Sequence, residues 1–221
     1  AYDGVVLFGG LSLTGGVNFF AFSDDGTFLT AGNESAYSNI RKFRAIQGAL
    51  YVGVGYEAGG LQQGRILKWT GNSSDPISFE TVGIVDSEVA ELALHDGRLF
   101  VTTWPDDDAE AALYMSPPLP VGGSLQTSDA NNWVSVFSVS DYEVNPISAA
   151  TYGLGALASF DGWLFWGTMH VPGTGAAAHE SELDEGIGFD LDDVLLSERS
   201  ISIFRGRDFA TTPEIDVLYG Y

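Results

Sequence analysis

Four short runs limit what this chain can fold into: GVVLFGG from Gly4, GALYVGVG from Gly48, GRLFVTTW from Gly97 and GWLFWGTM from Gly162. Their glycines lie 44, 49 and 65 residues apart. Asp3, Asp96 and Asp161 stand just before three of them, which is the chemistry of a two-residue hairpin turn needing positive φ. In an extended strand successive side chains point to opposite faces, so the run GWLFWGTM is apolar on both. Such a strand must be covered on both sides.

The surrounding runs supply partners. Upstream lie IRKFRAIQ, VAELALHD and GALASFD; downstream lie VNFFAFS, RILKWTG, AALYMSP and SISIFRG, and beyond these GTFLTAG, SFETVG, WVSVFSV and IDVLYGY. All are rich in β-branched and aromatic residues and are bounded by Gly, Asn, Asp or Pro, and no segment holds a 3.6-residue period for long. A helical turn or two is expected only within 185–198. Each repeat therefore reads as a four-stranded meander, near 1–36, 37–85, 86–145 and 146–221, with the first lacking its leading strand because little chain precedes Asp3.

With no helices to cover them, meanders that are apolar on both faces can be sandwiched between copies of themselves arranged radially. Through the recurring G-x-L-[FY]-V core and short third strand, the chain resembles β-propeller repeat proteins in general. The expected fold class is all-β: a β-propeller domain of four-stranded antiparallel meander blades. About four blades lie in this chain, and an incomplete wheel is preferred to a closed one. SDDGTF (23–28) and TSDANNWVSV (127–136) resemble the Asp-box of sialidase-like propellers. The first is a residue short and the second lacks the glycine and one aspartate, so both are read as turn chemistry and no arginine triad carries over.

Thirty acidic against nine basic residues give a formal charge of −21 and a pI near 4.1. A nucleic-acid partner is not expected, since phosphate binding needs clustered Lys and Arg, and an anionic membrane surface is disfavoured likewise. Calcium, cationic partners or a high-salt habitat fit better. There are no cysteines, which removes disulfides, thiolate metal sites and a thiol nucleophile. No apolar run reaches the length of a membrane span, so membrane insertion is not expected. A start at Ala1 is read as the result of cleavage, and with the sequons at Asn33 and Asn72 it makes an extracytoplasmic location the expectation: secreted, periplasmic or cell surface.

Meander topology sorts the loops. Connections between second and third strands share one end of the sheets with the connections between repeats, and that end receives eighteen of the thirty carboxylates against nine at the other. It also receives the one long insertion, roughly 170–199, and long loops on a rigid scaffold commonly carry binding. Within it Asp184, Glu185, Asp190, Asp192 and Asp193 are the candidate calcium ligands, because hard cations take six to eight oxygens. Their spacing is not that of an EF-hand, and a solvated acidic loop is the simpler reading. Asp106, Asp107 and Asp108 follow the same logic.

His170 and His179 flank VPGTGAAA and are candidate ligand or zinc residues, with Glu180 or Glu182 as a third donor. Trp104 and Trp166, near the loop-rich end, are candidates for stacking on a sugar ring, with core filling as the alternative. The leading strands offer Arg41, Arg44, Glu91 and His95 as polar candidates. No Gly-x-Ser-x-Gly elbow occurs. The expected function is a binding or scaffolding module acting through its acidic loop-rich end, calcium-assisted, on a protein or carbohydrate partner. The alternatives are a hydrolase or lyase acting on carbohydrate or lactone, and a structural subunit assembling with further chains.

Overall fold

The computed structural model describes residues 1–106, 109–144, 149, 152–170 and 201–220. Among them the chain is all-β, in four antiparallel sheets. The first holds β1 (Val5–Leu11), β2 (Val17–Ser23) and β3 (Phe28–Glu34), and the second holds β4 (Tyr37–Ile46), β5 (Ala49–Ala58), β6 (Leu61–Trp69) and β7 (Phe79–Val85). The third holds β8 (Val89–His95), β9 (Arg98–Thr103), β10 (Ala112–Pro118) and β11 (Val134–Ser138), and the fourth holds β12 (Tyr152–Phe160), β13 (Trp163–His170), β14 (Ile203–Arg207) and β15 (Glu214–Tyr219). Every sheet runs in simple meander order. The helical expectation for 185–198 lies outside the described residues.

The recurring glycines occupy equivalent turns. Asp3 and Gly4 have φ of 48° and 74°, Gln47 and Gly48 48° and 75°, Asp96 and Gly97 44° and 68°, Asp161 and Gly162 48° and 75°. These are paired left-handed residues, the two-residue turn whose twist matches that of the strands it joins. Gln47 is the exception in chemistry, since a Cβ-bearing residue without a short polar side chain pays about 1–2 kcal/mol in this region. Gln47→Asn is expected to stabilise the chain by about 0.5 kcal/mol or more, read from the urea midpoint; an unchanged or lower midpoint contradicts this.

Tyr2 and Val5 exchange backbone hydrogen bonds of 2.7 and 3.0 Å across the first turn. Tyr2 thus stands where Ile46, His95 and Phe160 end the leading strands of the other sheets, and β1 corresponds to β5, β9 and β13. The two Asp-box-like stretches form side-chain-capped turns between third and fourth strands. Asp25 accepts hydrogen bonds from the Ser23 hydroxyl and from the Thr27 amide (3.0 Å), which hold its carboxyl below the ordinary carboxylate range. Asp129 accepts from the Gln126 amide at 2.8 Å.

The chain divides into two compact units, each with its own core. In the first (Ala1–Val89 with Pro117–Trp133), Val5, Ala21, Leu50 and Trp69 cluster with Tyr2, Leu7, Phe43 and Phe79 around them. Segment 117–133 is tied to the second sheet: Lys68 Nζ donates to the Leu125 carbonyl (2.7 Å) and pairs with Glu80, and Trp133 Nε1 donates to the Val82 carbonyl (2.9 Å). In the second unit (Ala90–Ser116 with Val134–Tyr221), Phe100, Leu113, Phe137, Tyr152, Leu164, Trp166, Phe204 and Phe209 form the core.

Counted from the turn glycine, the sheets pack by one parity rule. In the first unit Val5 and Leu7, at the first and third positions after Gly4, meet Leu50, at the second position after Gly48. In the second unit Phe100, third after Gly97, meets Leu164 and Trp166, second and fourth after Gly162. Within each unit the odd face of the earlier sheet lies on the even face of the later one. Strands greasy on both sides are what this rule requires.

Candidate functional site

At the loop-rich end of the second sheet, strand pairing sets Tyr37 opposite Tyr56 and Val54 opposite Arg65. The Arg65 guanidinium lies 3.4 Å from the Tyr56 ring centroid, and the two tyrosine rings are 6.2 Å apart. Burial raises the Tyr37 hydroxyl pKa above its ordinary value, the Glu34 carboxylate adds to the rise, and Arg65 opposes it. Tyr37 therefore stays a neutral donor well into the alkaline range. Arg65 Nε is buried without a hydrogen-bond partner. A guanidinium held flat on an aromatic ring keeps its donor directions fixed, which suits carboxylate or sugar hydroxyl oxygens.

A second polar group sits at the same end, around the β7–β8 connection. Glu88 accepts a hydrogen bond from the Asn39 amide and another from Arg41 Nε at 3.2 Å. Glycine is needed opposite: a Cβ on Gly55 would lie 2.5 Å from Ser38 Oγ and 3.2 Å from the Glu88 side chain. The carboxylate is thereby positioned by the close approach of β5. This half-exposed pair contributes little to stability and much to where its charges stand.

In the second unit His95 Nδ1 lies 2.9 Å from Ser159 Oγ. The imidazole is buried, with its centroid 5.7 Å from the Phe100 ring and 6.2 Å from the Phe209 ring. The cavity beside it, lined by Asp96, Arg98 and Asp208 among others, measures about 10 Å³, room for about one water molecule. No substrate fits there, and the pair acts as a polar clamp between the β8–β9 and β12–β13 turns.

Burial pulls the His95 pKa below 6.5, with Asp96 opposing. As pH falls below about 6.5, the unfolded chain takes up this proton before the folded one, so stability is lost through that window and levels off below the lowered folded value. The difference in urea midpoint between wild type and His95→Gln is expected to shrink from pH 7.5 to pH 5.5; a difference that grows refutes the assignment.

Of the residues singled out from sequence, Trp104 follows β9 and is half-buried, and His170 ends β13 with its ring 4.7 Å from that of Tyr152. Trp166 is 1% exposed, with its ring packed against Phe204 and Phe137. His179, Asp184, Glu185, Asp190, Asp192 and Asp193 lie outside the described residues, as do Asp107 and Asp108. Arg41 falls in the Glu88 cluster, and Glu88 is one of the carboxylates sorted from sequence to the loop-rich end, whereas Tyr37, Tyr56, Arg65 and Asn39 were not anticipated. Their only sequence signal is scarcity: Arg65 is one of nine basic residues and opens the otherwise apolar run RILKW.

Among the described residues no group of three or more His, Asp or Glu side chains is placed to hold a metal ion, and no helix is long and apolar enough to cross a membrane. The repeat sheets and this cluster define an all-β protein of meander repeats with a polar, aromatic site at one sheet end. The chain matches no model of a known protein family, and no curated protein matches it.

Proposed function

We propose that this chain is a β-propeller-type binding or scaffolding module that works outside the cytoplasm and takes a carbohydrate or protein ligand at the loop-rich end of its sheets. The observation that carries the reading is the platform of Arg65 on Tyr56 beside Tyr37, where a buried guanidinium nitrogen has no protein partner. An unmet buried donor costs about 1–3 kcal/mol, which a ligand oxygen recovers on binding. The all-β meander sheets and their parity of packing support the propeller architecture. Exposure of both sequon asparagines, Asn33 and Asn72, supports the location. In this reading the acids of 180–198 add a calcium-assisted contact.

Probing glycan and peptide arrays with the chain, then titrating the best hit, is expected to give an affinity that falls about tenfold or more in Arg65→Met and in Tyr56→Ala. Binding insensitive to both substitutions removes the site. Turnover of a glycoside or lactone in the same screen replaces this reading by the hydrolytic one, and a hit whose affinity ignores chelator removes calcium from it.

A further inference from the structure

We infer that the ligand of the Arg65 platform is a glycan carrying an isolated uronic acid, whose carboxylate pairs with the guanidinium. This rests on the binding reading above and narrows it. Strand pairing sets Tyr37 opposite Tyr56 and Tyr56 opposite Gln63, and Arg65 stands two residues beyond Gln63 on the same face of β6. All four are half-buried. One sheet face thus presents phenol hydroxyls, a side-chain amide and a guanidinium side by side.

Arg65 breaks the pattern of the chain's other cations. Arg41, Lys68, Arg205 and Arg207 hold carboxylate oxygens of Glu88, Glu80, Asp216 and Glu214 at 2.5 to 3.2 Å. Among the described residues Arg65 holds none, in a chain with thirty acidic residues. A ligand that covers this guanidinium strips water from it, and an uncharged ligand returns no counter-charge. A carboxylate does, and its two oxygens match the parallel N–H donors of an arginine.

The guanidinium carbon lies 3.4 Å from the Tyr56 ring centroid, so Arg65 already occupies that face of the ring. A sugar cannot stack there, and recognition on that side runs through charge and hydrogen bonds. Tyr37 and Gln63 supply the hydrogen bonds, since a phenol donates and accepts and an amide does both at separate atoms. That mixture fits the hydroxyl groups of a sugar acid better than an aspartate or glutamate side chain, which brings a carboxylate with no hydroxyls around it. Density of charge is limited too. The formal charge of −21 opposes a run of carboxylates, and so does Glu34, which adds to the rise that burial gives the Tyr37 pKa. One uronic acid among neutral sugars meets both conditions.

Calorimetric titration of the 221-residue chain with short oligosaccharides bearing one uronic acid, each matched by its methyl ester and its neutral parent, tests this. The free acid is expected to bind about tenfold or more tighter than its ester or parent, and that advantage is expected to shrink from about 50 to about 500 mM NaCl. Arg65→Met is expected to erase the advantage and Arg65→Lys to keep part of it. Glu34→Gln removes a nearby like charge and is expected to tighten the acid about twofold while leaving the ester unchanged. The comparison of acid with ester needs no variant, so it decides the matter even where Arg65→Met fails to fold. Equal affinity for acid, ester and parent, with all three weakened by Arg65→Met, keeps the ligand site and overturns the uronic acid. A panel that does not bind, a preference for the acid that survives Arg65→Met, or a hit confined to peptides with a single Asp or Glu overturns it as well. Binding insensitive to both Arg65→Met and Tyr56→Ala removes the site itself.

Discussion

Trp166→Ala is expected to cost about 3–5 kcal/mol, a large share of the roughly 5–15 kcal/mol that holds a typical domain folded. The indole is 1% exposed and stacks on Phe204 with a centroid separation of 5.6 Å, while Phe137 meets its edge at 5.3 Å. Removing it leaves a cavity enclosed by strands from two sheets, which cannot collapse without breaking strand registry. Trp166→Phe has a different balance. It gives up ring area but also discards a buried Nε1 that has no hydrogen-bond partner. The phenylalanine variant is expected to lose less than about 1.5 kcal/mol. Urea unfolding followed by circular dichroism reads both; an alanine variant within about 1 kcal/mol of wild type places Trp166 outside the core that governs stability.

Gly64→Ala is the second large effect. An ideal Cβ at Gly64 would lie 2.0 Å from the Ser87 carbonyl oxygen, 2.7 Å from Val85 Cγ2 and 3.0 Å from Val89 Cγ2. The nearest atom is backbone, so the β7–β8 connection has to move rather than a side chain rotate. A cost of about 3 kcal/mol is expected, at the upper end for one added methyl group. That connection also carries Glu88, so the contacts with Asn39 and Arg41 are expected to loosen with it. Gly10 is the control: a Cβ there meets nothing within 4 Å, and Gly10→Ala is expected to be neutral or stabilising by up to about 1 kcal/mol. Equal urea midpoints for the two alanine variants would falsify the close-approach argument.

The repeat was legible because its signal is local. A turn dipeptide at positive φ and a dense apolar run announce themselves within ten residues, and the four meanders lie where the recurrences at Gly4, Gly48, Gly97 and Gly162 set them. The three-stranded make-up of the first sheet could be read as well. Facing could not. In an amphipathic strand the polar residues mark the wet side, but where both sides are apolar parity carries no such mark. Trp163 and Trp166 look alike in the sequence, and the structure makes one a half-exposed seat for two arginines and the other the centre of a core.

The candidate site was illegible for a related reason. Carboxylates are so abundant that no single one stands out, and the informative residues are two tyrosines and an arginine brought together from three strands. Their adjacency depends on cross-strand register, and bulges in β4 between Tyr37 and Phe43 shift that register in ways no local pattern reveals.

Packing that sets odd on even within each unit has a consequence for how such a chain can change length. Inserting one whole meander between the two sheets of a unit consumes one surface of each kind and returns one of each, so the surfaces at that unit's two ends are the same before and after. Duplication of a repeat is then structurally neutral, and a gene built this way can grow by copying without any new interface having to be invented.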